Sequence, residues 1–202
     1  MLPSLRRLLV PALAATTFAA ALAAQCQSVT TALNPIFAQS GIMFDVVNVS
    51  ADPIQVTGMD QMASDFGVTH VHVYTKVGTW NGSQATPAAW TLVGSNPLWG
   101  HWPYPLLSSL NIPMNVVIPP GGTQGFYVGT TYIDPTDMLA FRSGVNQLGA
   151  SQGNDGTLDV RIGAVVYYPF STTVGLSNGS GVYSLGRVHY CKAATNTVIG
   201  TG

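Results

Sequence analysis

Short apolar or alternating segments recur along most of the chain, and clusters of Gly, Pro, Asn and Asp separate them. Alternation with a period of two is typical of β-strands with one buried face, and the separating residues favour turns. The pattern predicts about nine strands, at residues 42–49, 54–59, 68–75, 90–94, 112–118, 125–131, 138–142, 157–166 and 181–190. Strands at this spacing indicate an all-β domain, a two-sheet antiparallel β-sandwich of jelly-roll-like architecture.

The sequence Pro119-Pro120-Gly121-Gly122 stands between two of these predicted strands. Proline fixes φ and glycine accepts positive φ, so this sequence predicts a turn. We therefore expect strands 112–118 and 125–131 to pair as a β-hairpin.

The first 23 residues have the features of an export signal. Arg6 and Arg7 give a positive start, residues 8–22 are apolar and rich in alanine, and Ala21-Leu22-Ala23 is a small-x-small cleavage site. No later segment approaches the roughly 20 apolar residues that a membrane-spanning helix needs. We expect cleavage after Ala23 and a secreted protein, located outside the cell, in the periplasm or at the cell surface, with no membrane span in the mature chain.

The predicted domain covers residues 24–191, and residues 192–202 are small and polar, as in a linker-like tail. Its two cysteines, Cys26 and Cys191, lie near its opposite ends. In an oxidising compartment such a pair is bonded more often than free. A disulfide that closes so long a loop stabilises a domain by roughly 5 kcal/mol in the chain-entropy model. Two unpaired thiols are the alternative.

Composition and charge narrow the class of function. All eight acidic residues are aspartate, and removal of the signal leaves five basic residues against eight acidic ones, a net charge of −3. No basic patch indicates nucleic-acid binding. The sequence contains no HExxH helix motif, no GxSxG nucleophile turn and no GxxxxGK phosphate loop, so the enzymes that carry these motifs are excluded.

Six sequence blocks stand in order along the chain: FDVVNVS (44–50), VYTKVGTW (73–80), PAAWTLVGS (87–95), IPPGGTQGFYV (118–128), YPF (168–170) and GRVHY (186–190). Together they resemble an uncharacterised family of secreted bacterial β-sandwich domains of the planctomycete type. The resemblance implies a β-sandwich fold and an extracellular compartment. It implies no activity and no catalytic residues.

The segment from Pro97 to Pro105 places Trp99, His101, Trp102 and Tyr104 between prolines. Exposed rings on a stiff loop can stack on sugar faces, and they give binding energy at low entropic cost. The alternative is that these rings fold back and cap one end of the sandwich, because large rings are mostly buried. Trp80 and Trp90 are predicted to be core or corner residues.

His70 and His72 are the best metal-ligand candidates, because alternate residues of a strand share a face and two imidazoles can chelate zinc. Two ligands do not make a site, and His101 or His189 would have to join them. The same alternation is explained by a polar outer face without any metal. We therefore predict no metal site here.

No cofactor is predicted, although a structural calcium ion is possible at loop oxygens of Asn154, Asp155, Asp134 and Asp137. The spacing does not match an EF-hand.

The predicted function is a non-catalytic secreted or cell-surface module for adhesion, for envelope or matrix structure, or for glycan binding. Its partners would be extracellular polysaccharides or cell-envelope components, and the aromatic segment would be the contact surface. The alternative is a secreted hydrolase that uses an unrecognised Asp/His site, for which His72 and Asp137 are candidates.

Overall fold

The structure is a computed structural model, and it describes residues 25–31, 37–63, 67–100, 106–130, 138–143, 147–166, 170, 174–175, 181–184 and 186–192. Besides one short 3-10 helix at Pro87–Ala89, these residues form sixteen strands. They are β1 (Cys26–Thr30), β2 (Phe37–Gln39), β3 (Gly41–Asn48), β4 (Ile54–Met62), β5 (Gly67–Val77), β6 (Thr91–Gly100), β7 (Leu107–Ser109), β8 (Val116–Ile118), β9 (Thr123–Thr130), β10 (Leu139–Ser143), β11 (Ser151–Asn154), β12 (Leu158–Arg161), β13 (Ala164–Val166), β14 (Val174–Gly175), β15 (Val182–Ser184) and β16 (Gly186–Lys192).

The strands form two main sheets and one small one. The eight-stranded sheet has the order β11-β12-β3-β9-β5-β6, with β13 beside β3 and β14 beside β13. The five-stranded sheet has the order β1-β16-β4-β7, with β8 also beside β4, and the three-stranded sheet has the order β15-β10-β2. The pairings within each sheet are antiparallel. The predicted all-β, two-sheet antiparallel sandwich is confirmed, with sixteen strands among the described residues where about nine were expected.

One apolar core lies between the two main sheets. Each sheet contributes alternate residues, such as Val71 and Val73 of β5 and Val188 and Tyr190 of β16, all at most 4% exposed. Since successive side chains of a strand point to opposite faces, the residues between these core positions face outward. This alternation places the candidate functional residues on the two outer faces of the sandwich.

The predicted turn at Pro119-Pro120-Gly121-Gly122 is present, but the predicted hairpin is wrong. The Gly122 N–H donates to the Pro119 carbonyl at 2.9 Å, and Gly121 has φ +68°. However, β8 pairs with β4 in the five-stranded sheet, while β9 lies between β3 and β5 in the eight-stranded sheet. The turn therefore carries the chain from one sheet to the other.

Two predicted strands are each divided into two. Predicted strand 157–166 becomes β12 and β13, which both pair with β3 on either side of Gly163. Predicted strand 181–190 becomes β15 and β16, which belong to different sheets.

The predicted strand at 90–94 is longer than expected and runs to Gly100 as β6. It therefore includes Pro97 and Trp99, which were expected in a loop. β6 ends the path of the eight-stranded sheet, and an edge strand tolerates proline because one side of it makes no ladder hydrogen bonds.

The predicted disulfide between Cys26 and Cys191 is confirmed. The two residues are direct partners in the β1–β16 ladder, with an S–S distance of 1.99 Å. Lys192, predicted to start the tail, is the last residue of β16, and its N–H donates to the Gln25 carbonyl at 3.3 Å. The predicted signal at 1–23 and the rest of the tail lie outside the described residues. Among the described residues, the structure contains no helix of the length and hydropathy that crossing a membrane requires.

Candidate functional site

An exposed indole marks the outer face of the eight-stranded sheet at its β6 edge. Trp99 is 66% exposed, whereas its neighbour Leu98 is 2% exposed and belongs to the core. The β5–β6 register pairs Pro97 with His70 and Ser95 with His72 on the same outer face. We call these five residues, Trp99, Pro97, Ser95, His70 and His72, the Trp99 surface.

The exposure of Trp99 leaves its ring available for contact, and its role in binding stays a prediction. His101, Trp102 and Tyr104 lie outside the described residues. Trp80 and Trp90 are only 3% and 8% exposed, which confirms the prediction that they are packing residues. They pack on the outer face of the eight-stranded sheet, where Trp90 meets Tyr127 edge-on with ring centroids 6.4 Å apart.

The two strand histidines share one face, as their alternation predicted. His70 is exposed and His72 is half-buried, and the buried Nε2 of His72 has no hydrogen-bond partner among the described residues. Burial lowers the pKa of His72, and the neighbouring His70 lowers it further, so the neutral imidazole is favoured. In the described part of the chain, no group of three or more His, Cys, Asp or Glu side chains could hold a metal ion.

A second polar cluster lies on the outer face of the five-stranded sheet. His189 Nε2 lies 2.9 Å from Asp60 Oδ1, and an Arg187 guanidinium nitrogen lies 3.6 Å from Asp60 Oδ2. Arg187 Nε also donates to the Thr30 hydroxyl at 3.0 Å. The Asp60 side chain is only 12% exposed, so two partners hold a largely buried carboxylate in a fixed orientation.

Two adjoining shallow depressions flank this cluster, with volumes of about 480 and 330 Å³. They share Thr57, Gly58 and His189. The first is also lined by Cys26, Gln27 and Ser28, and the second by Met59, Ser109, Asn111, Ile112 and Pro113. We call the two depressions together the His189 groove.

From the sequence, His189 was expected only as a possible extra metal ligand, and its cluster with Asp60 and Arg187 was not predicted. Alternation in GRVHY does place Arg187 and His189 on one face of a strand. Asp60 reaches them only because β16 pairs with β4, in a register that sets Arg187 opposite Asp60. No local pattern in the sequence specifies that pairing.

The residues considered for calcium are engaged otherwise. Asn154 Oδ1 accepts the Gly156 N–H at 2.7 Å, and Asp155 Oδ1 accepts the N–H groups of Thr157 and Leu158, both at 2.9 Å. These are ordinary turn hydrogen bonds, which account for both residues without a cation. Asp134 and Asp137 lie outside the described residues.

The other oxygen of Asp155 accepts a hydrogen bond from the Tyr190 hydroxyl at 2.5 Å. Burial and this bond raise the pKa of Tyr190 to about 12. For Asp155, burial acts to raise the pKa, but the hydrogen bonds from Leu158, Tyr190 and Thr157 outweigh it, and the pKa is lowered. The bond ties the end of β16 to the β11–β12 turn, and so joins the two main sheets.

Comparisons with known proteins do not identify a family. No family model matches the chain, and no curated protein matches it. The resemblance to secreted bacterial domains therefore remains a prediction.

Among solved structures, a structure of infectious bursal disease virus Gt strain shares 14% identity over 93% of this chain and 46% of that chain, with a TM-score of 0.28. The VP2 subviral particle of the same virus shares 13% identity over 85% of this chain and 39% of that one, with a TM-score of 0.22. The chain thus spans less than half the length of either structure. Likeness at this level supports no conclusion about function.

Proposed function

We propose that this chain is a secreted, non-catalytic β-sandwich module that binds polysaccharide of the extracellular matrix or cell envelope through the Trp99 surface. The observation that carries the proposal is the exposure of Trp99, 66%, on a strand rather than on a loop. Tryptophan is enriched at interfaces, because it brings a large apolar area and a polar N–H to the contact.

The surroundings of Trp99 suit a sugar. The face of a sugar ring presents C–H groups that can lie against an indole, and its rim presents hydroxyls that need hydrogen-bond partners. Pro97 extends the apolar contact, while exposed His70 and Ser95 give hydrogen-bonding groups beside it. Because strand pairing fixes these residues, binding orders little of the protein and costs little conformational entropy.

Export is part of the proposal. Support comes from the signal-like residues 1–23 and from the disulfide, since disulfides persist in oxidising compartments. Membership of the secreted bacterial family is likewise proposed on the six sequence blocks.

The test is binding of the purified chain, with its disulfide intact, to a panel of neutral, amino-sugar and acidic polysaccharides. We expect retention on at least one polysaccharide and at least tenfold weaker binding by Trp99→Ala, because the central ring is lost. The matched control is Leu92→Ala, which truncates another apolar side chain of β6 that is 52% exposed, outside the Trp99 surface. Equal binding by Trp99→Ala and the native chain would refute the role of this surface. If the native chain binds none of the polysaccharides, the proposed glycan-binding function is refuted.

The hydrolase alternative has one observation in its favour, the contact of 2.9 Å between His189 Nε2 and Asp60 Oδ1. An imidazole with one nitrogen beside a carboxylate keeps its other nitrogen available to act as a base. Turnover of an ester or glycoside panel that is lost in His189→Gln would favour this alternative. Loss on changing His72 instead would favour the candidate suggested by the sequence.

A further inference from the structure

We infer that the His189 groove is a second polysaccharide-binding site, so that one molecule bridges two glycan chains. The inference rests on the proposed function and extends it, because the groove lies on the opposite outer face from the Trp99 surface. His189 alternates with the core residues Val188 and Tyr190 of the five-stranded sheet, and Trp99 adjoins the core residue Leu98 of the eight-stranded sheet. Each site therefore points away from the shared core.

The groove has the shape of a binding site for an extended chain. It passes from Ser28 on β1, over His189 on β16 and Gly58 on β4, to Asn111 beyond β7. Ser28, His189 and Gly58 are successive partners across the three strands. With neighbouring strands about 4.8 Å apart, the crossing is on the order of 15 Å long, enough for several linked sugar rings.

Gly58 leaves the floor of the groove open. A Cβ atom placed at Gly58 would meet only His189 Cδ2, at 3.9 Å, which is an ordinary contact distance. The opening at this position is therefore due to the missing side chain, and a larger residue there would fill it.

The chemistry of the lining favours a neutral polyol over an ion. The carboxylate of Asp60 already faces Arg187 and His189, so the cluster offers no unbalanced charge to a charged ligand. The remaining polar lining consists of hydroxyls and amides that can both donate and accept hydrogen bonds. These groups belong to Ser28, Thr57, Ser109 and Asn111.

The second depression also has one exposed apolar residue. Pro113 lines it beside the polar groups, whereas Ile112 is 5% exposed and belongs to the core. A sugar ring can therefore place its C–H face on Pro113 while its hydroxyls meet the polar residues. The arrangement repeats, with aliphatic in place of aromatic carbon, the combination found at the Trp99 surface.

Two sites on opposite faces allow one molecule to hold two glycan chains at once. A stiff glycan lying along one outer face cannot also occupy the other, because the packed sheets, about 10 Å apart, separate them. Simultaneous occupation then joins two different chains, and many bridges give an avidity above either single affinity.

The test compares binding with crosslinking, using a polysaccharide that the native chain binds. Crosslinking is measured as light scattering of the dissolved polysaccharide on addition of protein that sedimentation shows to be monomeric. We expect the native chain to raise scattering several-fold. Trp99→Ala and Gly58→Val should each keep measurable binding and lose the scattering increase, and the double variant should not bind.

Two further variants keep the test interpretable. His189→Gln removes the imidazole without filling the groove, and it should also abolish crosslinking. It tests the groove independently in case Gly58→Val does not fold. Val117→Thr changes an exposed residue of β8 in the same sheet, outside the groove, and should crosslink normally.

The outcomes separate the two proposals. If the native chain binds without crosslinking, and the groove variants bind as it does, the groove is not a site while the proposed function stands. Crosslinking that survives in both single variants would assign bridging to association between protein molecules and would also overturn the inference. If no polysaccharide binds, both proposals fall.

Discussion

Asp45 fastens the loop that carries Trp80 to the outer face of the eight-stranded sheet. Its Oδ1 accepts the Trp80 N–H at 2.9 Å and its Oδ2 accepts the Thr79 hydroxyl at 2.6 Å. Burial raises the pKa of Asp45 above its ordinary 3.8, although both hydrogen bonds and the charges of Lys76 and Arg161 oppose the rise. The folded protein therefore holds this proton more tightly than the unfolded chain does.

The raised pKa predicts a pH dependence that Asp45→Asn removes. For a raised carboxyl pKa, the stabilising contribution is fully present below 3.8 and is lost as pH rises through the folded-state pKa. Urea unfolding across this window should show the native chain losing stability relative to Asp45→Asn as pH rises. The amide can still accept from Trp80 N–H, so the variant should fold normally.

Asp45→Ala serves as the comparison, because it leaves a backbone N–H without its acceptor and should cost about 1–3 kcal/mol at neutral pH. A stability difference between the native chain and Asp45→Asn that does not change with pH would contradict the prediction.

The hydrogen bond between Tyr190 and Asp155 gives a second prediction at the scale of residues, with a loss of stabilisation at both ends of the pH range. Tyr190→Phe removes a part-buried hydrogen bond to a carboxylate and should cost about 1.5–3 kcal/mol at neutral pH. The measurement is the urea-unfolding free energy of both proteins at a series of pH values. Tyr74→Phe is the control, because the Tyr74 hydroxyl makes no hydrogen bond to a described residue.

The native advantage should shrink at both extremes. The Tyr190 contribution is present below pH 10 and is lost as pH rises through its folded pKa of about 12. The lowered pKa of Asp155 gives a contribution present above 3.8 and lost as pH falls through the folded-state value. A constant difference from acid to alkali would show that the bond contributes through packing alone.

At the scale of elements, the prediction concerns Gly163. This residue lies between β12 and β13, where the chain passes β3 on one side and β15 on the other. Its N–H and C=O both pair with Val182, at 3.1 and 2.8 Å, while a Cβ atom would overlap the carbonyl oxygen of Met43 on β3. Gly163→Ala must therefore push backbone apart and should cost about 2–3 kcal/mol in urea unfolding.

The matched substitution is Gly58→Ala on β4, where the added carbon meets no backbone, and it should change stability by no more than about 0.5 kcal/mol. Equal effects of the two substitutions would mean that β3 can move away from Gly163.

Alternation along the chain was sufficient to place most strands, because many of them, such as β4 and β16, alternate buried and partly exposed residues. It could not assign strands to sheets, since the choice depends on distant partners. The turn at Pro119 to Gly122 is locally the same whether its strands pair or separate. In this protein the two strands separate into different sheets. The Ile118 carbonyl before the turn accepts a hydrogen bond at 3.0 Å from the Asn48 side chain, which is 70 residues away in the sequence, and such a distant partner cannot be recognised locally.

In the candidate sites too, local features were predictable from the sequence, and contacts between distant residues were not. Trp99 and the histidines of β5 were visible in the sequence, because aromatic residues and alternation are local features. That they share one surface follows from the β5–β6 register, which the sequence does not display. Asp60 drew no attention, because its two partners are more than 120 residues away along the chain.

At the scale of the whole molecule, the disulfide closes a loop with a sequence separation of 165 residues. Replacing both cysteines by serine should lower the unfolding free energy by up to about 5 kcal/mol, because the unfolded chain gains entropy. The measurement is urea unfolding of the double variant and of the native chain with and without reductant. Reduced native protein should match the variant, and an unchanged midpoint in both would show that the β1–β16 ladder alone suffices.

The same bond decides how the molecule responds to pulling. Gln25 and Lys192 leave adjacent strands side by side, and Cys26 and Cys191 join those strands covalently. Tension applied through both ends of the domain therefore passes from one chain end to the other across two sulfur atoms. The sheets between them carry none of that load, so both outer faces keep their shape while the protein is under strain.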